Sequence, residues 1–165
     1  MEDRAVITIP ATLTDKILEA ISIVLLALLW VMVIVGYMNL PEIIPVHFNG
    51  AGDPDSYGDR NTLFLLPVIG SFIYFILTLL NGKPHTFNYP VAITPENAEN
   101  QYRIAVRMMR AIKVSVLLVF CAIEYGSYRV AMGSQDGLGS WFIVFVFAII
   151  FMPMIYFIYK AFRNR

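Results

Sequence analysis

Charge is scarce in this chain: 15% of its 165 residues are Asp, Glu, Lys or Arg, against 58% hydrophobic residues and a mean hydropathy of +0.67. A soluble domain carries charge on about a quarter of its residues, so this composition points to a membrane protein. Cysteine is nearly absent. Cys121 stands alone, which excludes an intrachain disulfide and a zinc centre built on several thiolates and leaves it a packing role. The two histidines, His47 and His85, fall in different connections, and no nucleophile elbow, phosphate loop or HExxH sequence occurs. Those absences remove the common hydrolase and nucleotide-dependent mechanisms. The formal net charge is zero, so nothing favours nucleic acid as a partner.

Long apolar runs are what the chain has in abundance. Four of them, roughly 17–38, 63–80, 114–132 and 141–162, come near or above the about 20 helical residues that a hydrocarbon core requires. The expected class is therefore all-α: one membrane domain, 1–165, built as a bundle of four transmembrane helices. The first run outlasts the apolar part of a secretory signal, and no small-x-small cleavage site follows it before Pro41, so it is expected to remain as a spanning helix. Ten of the twelve basic residues (Arg4, Lys16, Lys83, Arg103, Arg107, Arg110, Lys113, Lys160, Arg163 and Arg165) flank the same side of these spans. Arg60 and Arg129 lie on the other. Basic flanks resist translocation, which places both termini and the 81–113 connection in the cytoplasm and the 39–61 loop outside. The expected location is the inner (plasma) membrane, with the lipid bilayer as first partner.

The external loop 39–61 is too rich in special residues for a plain linker. Ile44, Val46 and Phe48 alternate with Pro45, His47 and Asn49 as in a short strand, and Gly50, Gly52 and Asp53-Pro54 supply turns. Asp53, Asp55, Gly58 and Asp59 are spaced like the opening of a calcium loop, although Tyr57 stands where an oxygen ligand is usual and Phe64 where the bidentate Glu would be. His47 with Asp53 and Asp55 is the alternative donor set for a divalent metal. The plainer reading is that these side chains cap turns in an ordered lid.

On the cytoplasmic side, Thr94, Pro95 and Glu96 read as a helix start. Beyond them Glu99, Arg103, Arg107, Arg110 and Lys113 share one stripe, opposite Tyr102, Ala105, Met108 and Ile112, which predicts an amphipathic extension of the third helix. That basic row suits anionic headgroups or an acidic partner, and equally a solvated face. Glu124 is the acidic residue set deep in a span; the wheel aligns it with Lys113, Cys121 and Tyr128 and requires it to face the bundle interior. It reads as a proton- or ligand-responsive group, or as a structural partner of tyrosine hydroxyls or Arg129.

The run Leu40-Pro41-Glu42-Ile43-Ile44-Pro45-Val46-His47-Phe48-Asn49, followed by Gly52-Asp53-Pro54-Asp55-Ser56-Tyr57-Gly58, resembles a bacterial membrane family of unknown function with an LPxxIPxHFNxxGxPDxYG signature. Relatives of that family are immunity proteins against a secreted sporulation-delaying peptide toxin, and they carry further membrane segments. The stretch from Asn88 to Asn97 is similar to the family as well. The polar density of the loop, the amphipathic stripe and this resemblance together point to a non-enzymatic protein whose loop (His47, Asn49, Asp53, Asp55, Tyr57, Gly58 and Asp59) recognises a peptide or small ligand. Two other readings stay open: a metal-dependent enzyme or metal-binding protein at the loop, and a small homo-oligomeric transporter around Glu124.

Overall fold

The computed structural model describes residues 4–165. Its elements run α1 (Leu13–Asn39), β1 (Ile43–Phe48), β2 (Pro54–Asp59), α2 (Leu65–Leu80), α3 (Ala98–Ala131) and α4 (Trp141–Arg163), with 3-10 turns at Arg60–Phe64 and Pro84–Thr86. The chain is mostly helical, but the all-α expectation needs correcting by a two-stranded antiparallel sheet in the loop between α1 and α2. The physical reason is local. Pro41 forces the preceding Leu40 into extended backbone (φ −86°, ψ 154°), which ends α1. Gly52 takes φ +86° to return the chain, a conformation that residues with a Cβ resist.

α1 starts on a capping box: the Thr12 hydroxyl accepts from the Asp15 amide, and the Asp15 carboxylate accepts from the Thr12 amide at 2.9 Å. α3 starts at Ala98, four residues beyond the Thr94 cap expected from sequence. Asn97 explains the delay, because its side chain accepts from the Thr94 amide and donates to the Ala92 carbonyl, holding a turn in place of helix. From Ala98 the helix then runs unbroken for 34 residues.

α3 is the central element, packed against α1, α2, α4 and β1. Buried residues occur all around it, from Gln101 and Tyr102 through Leu117 to Glu124 and Ser127. Among the described residues three helical segments, Leu13–Asn39, Arg60–Leu80 and Trp141–Arg163, are long and apolar enough to cross a membrane. α3 is not one of them; Glu99, Arg103, Arg107, Arg110 and Lys113 fall in its first half, and Glu124 and Arg129 in its apolar second half. The three apolar helices leave large side chains such as Val24, Val31, Phe72, Phe75, Val144 and Ile155 exposed. Lipid tails offer helices no hydrophobic gain on association, so close approach and polar pairing must hold such a bundle together. Gly70 shows the first: a Cβ there would lie 3.2 Å from Leu117 and 3.3 Å from Leu29, so both leucines would have to give way by a few tenths of an ångström.

Candidate functional site

The hairpin pairs Ile43 with Asp59, Ile44 with Gly58 and Pro45 with Tyr57, then slips around His47 before Phe48 meets Pro54. Ile44 is buried and joins Val33, Leu40 and Leu63 in one apolar cluster, which anchors the hairpin to the bundle. Its tip is a side-chain-closed turn in which the Asn49 carboxamide oxygen accepts from the amides of Ala51 (2.8 Å) and Asp53 (3.1 Å). At the tip the α3–α4 connection closes down, the Leu138 amide donating to the Gly52 carbonyl at 2.7 Å.

The loop residues read from sequence separate into distinct jobs. His47 Nδ1 lies 2.5 Å from Asp55 Oδ1, an exposed pair on one face of the hairpin. Asp59 caps the following turn by accepting from the Asn61 amide at 2.7 Å. Tyr57 is exposed on β2, and Gly58 gives room to Val46, whose Cγ1 would be 3.2 Å from an added Cβ. Asp53 sits beyond the bulge, at the turn. Among the described residues no three His, Cys, Asp or Glu side chains gather closely enough to hold a metal ion. Of the His47, Asp53 and Asp55 set, His47 and Asp55 pair, and the three do not gather into one cluster.

A cleft of about 310 Å³ runs between the hairpin and α4. Its walls are apolar, from Val46, Phe48, Leu138, Phe142 and Val146, and His47 and Asn49 stand at its lip. Glu124 lies deeper. It is 5% exposed and makes no hydrogen bond or ion pair with any described residue. Tyr128 packs against the apolar cluster instead, and Arg129 donates to the Ser134 carbonyl, so neither partner expected from sequence reaches it.

At the opposite end of the bundle the basic row of α3 is neither a solvated face nor an open platform. Arg107 Nε donates to Asp15 Oδ1 at 3.0 Å, and Arg110 reaches the same oxygen at 3.3 Å. Lys113, fully buried, donates at 2.8 Å to both Glu19 oxygens and to Thr78. Tyr74 donates to Glu19 at 2.7 Å and places its ring 4.3 Å from the ammonium. Only Arg103 matches the expected local pairing, with Glu99 at i,i+4. The reason for the inward turn is compensation: α1 presents two carboxylates, one turn apart, against the stripe of α3. Sequence reasoning missed Asp15 and Glu19, although Thr12-x-x-Asp15 and the i,i+4 acids on one face of α1 were the available signal. Beside this network Arg4 donates to the Phe87 carbonyl at 2.6 Å, and burial raises the Tyr89 phenol above its usual range, with Tyr102 adding to it.

Residues 24–70 match the profile of a family described as a domain of unknown function, DUF1648. That stretch contains most of α1, the hairpin and the start of α2. An uncharacterised protein of Archaeoglobus fulgidus is similar over nearly its whole length: 28% identical over 166 aligned residues, covering 92% of this chain and 90% of the relative. The relative is archaeal, whereas the loop signature had implied a bacterial family. No solved structure matches. Together the two matches fit a membrane-protein family of unknown function, with the hairpin lying inside the stretch that the family profile covers.

Proposed function

We propose that this chain is a non-enzymatic plasma-membrane protein that crosses the bilayer four times, keeps both termini in the cytoplasm, and receives an amphipathic peptide in the cleft between its hairpin and α4. The observation that carries the reading is that cleft, apolar inside and polar at its lip. The charge around it complements a cationic peptide. This end carries Glu42, Asp53, Asp55, Asp59 and Asp136 against two basic residues, Arg60 and Arg129, an acidic excess. The likeness of the loop to toxin-immunity proteins agrees with a peptide as the ligand. In this reading α3 crosses as well, its ionic row neutralised by α1 at the cytoplasmic end.

Two experiments test it. With Cys121 replaced, single cysteines at Ser56 and Ser134 should react with an impermeant thiol reagent in intact spheroplasts, and one at Thr94 should not; all three positions are exposed. Labelling at Thr94 from outside would invert the topology. For the cleft, a Lys/Leu amphipathic peptide should bind the protein in nanodiscs more tightly than it binds empty discs. Phe142→Ala should weaken that binding about tenfold, as expected for a central aromatic anchor. Equal binding by the variant, or by discs without protein, would remove the peptide reading.

A further inference from the structure

Glu124 is 5% exposed, its carboxyl has no hydrogen-bond partner among the described residues, and it lines a cavity of about 250 Å³. The other walls are Met32, Val35 and Gly36 of α1, Leu63 after the hairpin, and Tyr125 and Tyr128 of α3. A second hollow of about 240 Å³ under the hairpin also ends on Glu124. This cavity shares no residue with the hairpin cleft.

A carboxyl in such apolar surroundings carries an unmet demand. Among the described residues the other buried acid, Asp15, is answered by two guanidiniums, and the half-buried Glu19 by an ammonium. The two cations at this end do not reach Glu124, because Arg60 lies over the Tyr37 ring and donates to Leu40, and Arg129 lies over Tyr125 and donates to Ser134. A single carboxylate cannot hold a metal in the absence of further donors. An anion would be repelled, and a neutral apolar guest would leave the carboxyl as it is. A guest that brings its own positive charge on a small donor group satisfies the site, and an ammonium offers up to three donors.

We propose that Glu124 and this cavity form a binding site for a lipophilic amine, the ammonium on the carboxylate and an apolar body among Met32, Val35, Leu63 and the tyrosine rings. The size agrees: an apolar cavity of about 150 Å³ accepts benzene, so the larger space here takes one ring with a short alkyl chain. Val35 and Tyr125 are exposed at the rim, so a guest dissolved in the bilayer enters from the side.

Equilibrium dialysis of radiolabelled 4-phenylbutylamine against the protein in nanodiscs, with empty discs subtracted, reads the site directly. Saturable binding at one amine per chain is expected. Glu124→Gln, which keeps shape and removes charge, should weaken it by at least about tenfold, the loss typical of a charge-assisted hydrogen bond. Gly36→Leu retains the carboxylate but fills the cavity from α1, where an added Cβ meets only ordinary contacts at 3.5 Å or more, and it should weaken binding comparably. The uncharged analogue 4-phenylbutanol should show no saturable component. The site is overturned by the absence of saturable amine binding, by equal affinity in either variant, or by equal binding of the alcohol.

Discussion

Asp15→Ala is expected to destabilise the protein by about 3 to 5 kcal/mol, read from reversible unfolding in mixed micelles. Asp15 is 2% exposed, accepts from Arg107 Nε at 3.0 Å and forms an ion pair with Arg110 at 3.3 Å, while closing the capping box of α1. Removing it leaves Arg107 without its carboxylate and Arg110 with only the neighbouring Glu19, which Lys113 already holds. Breaking one partner of a buried pair costs far more than the pair contributes against an apolar replacement, because the orphaned charge keeps its desolvation penalty. Loss of the cap adds about 1 kcal/mol. Asp15→Asn keeps an acceptor for the Thr12 amide and should fall between wild type and Asp15→Ala. The double variant Asp15→Ala, Arg107→Ala should be more stable than the sum of its single changes predicts, since one of the orphaned charges is gone. A single-variant effect within about 0.5 kcal/mol, the range of ordinary surface changes, would show that solvent and not Asp15 neutralises the row.

Gly52→Ala should release the connection between α3 and α4 from the hairpin. A Cβ at Gly52 would stand 2.6 Å from both the nitrogen and the oxygen of Gly139, and these are backbone atoms that cannot rotate away. The residue also holds φ +86°, which costs a non-glycine roughly 1 to 2 kcal/mol before any clash. The two penalties act on the hinge where Leu138 donates to Gly52 and lies over Gly126. Amide exchange at Leu138 should accelerate by about 100-fold, the equivalent of roughly 3 kcal/mol of local opening. Gly50→Ala is the matched control. It lies two residues away, has nothing within 4 Å of its added Cβ, and should leave exchange unchanged. Equal behaviour of the two variants would mean that the clasp does not hold the cleft's far wall.

Legibility differed sharply between these features. The end of α1 at Pro41, the extended run through Ile44, Val46 and Phe48, and the glycine-borne return are local consequences of residue type, and the structure places all three where the sequence reading expected. The pairing register was not local. The slip around His47 sets it opposite Ser56, with Asp55 at its imidazole and Asp53 in the turn closed by Asn49. A donor set that looks convergent in sequence spacing therefore disperses.

The basic row of α3 shows the same division. Periodicity alone determined that Arg103, Arg107, Arg110 and Lys113 share a face, and the apolar runs alone marked three of the four expected spans, because both follow from helical geometry and residue type. What that face meets was decided only by tertiary packing. Asp15 and Glu19, about 90 residues earlier, take up three of its cations, while Glu124, on the same helix, is left with a cavity in place of a partner. Charge compensation acts through space over a few ångströms, and no pattern within a single helix records which carboxylate another helix will bring.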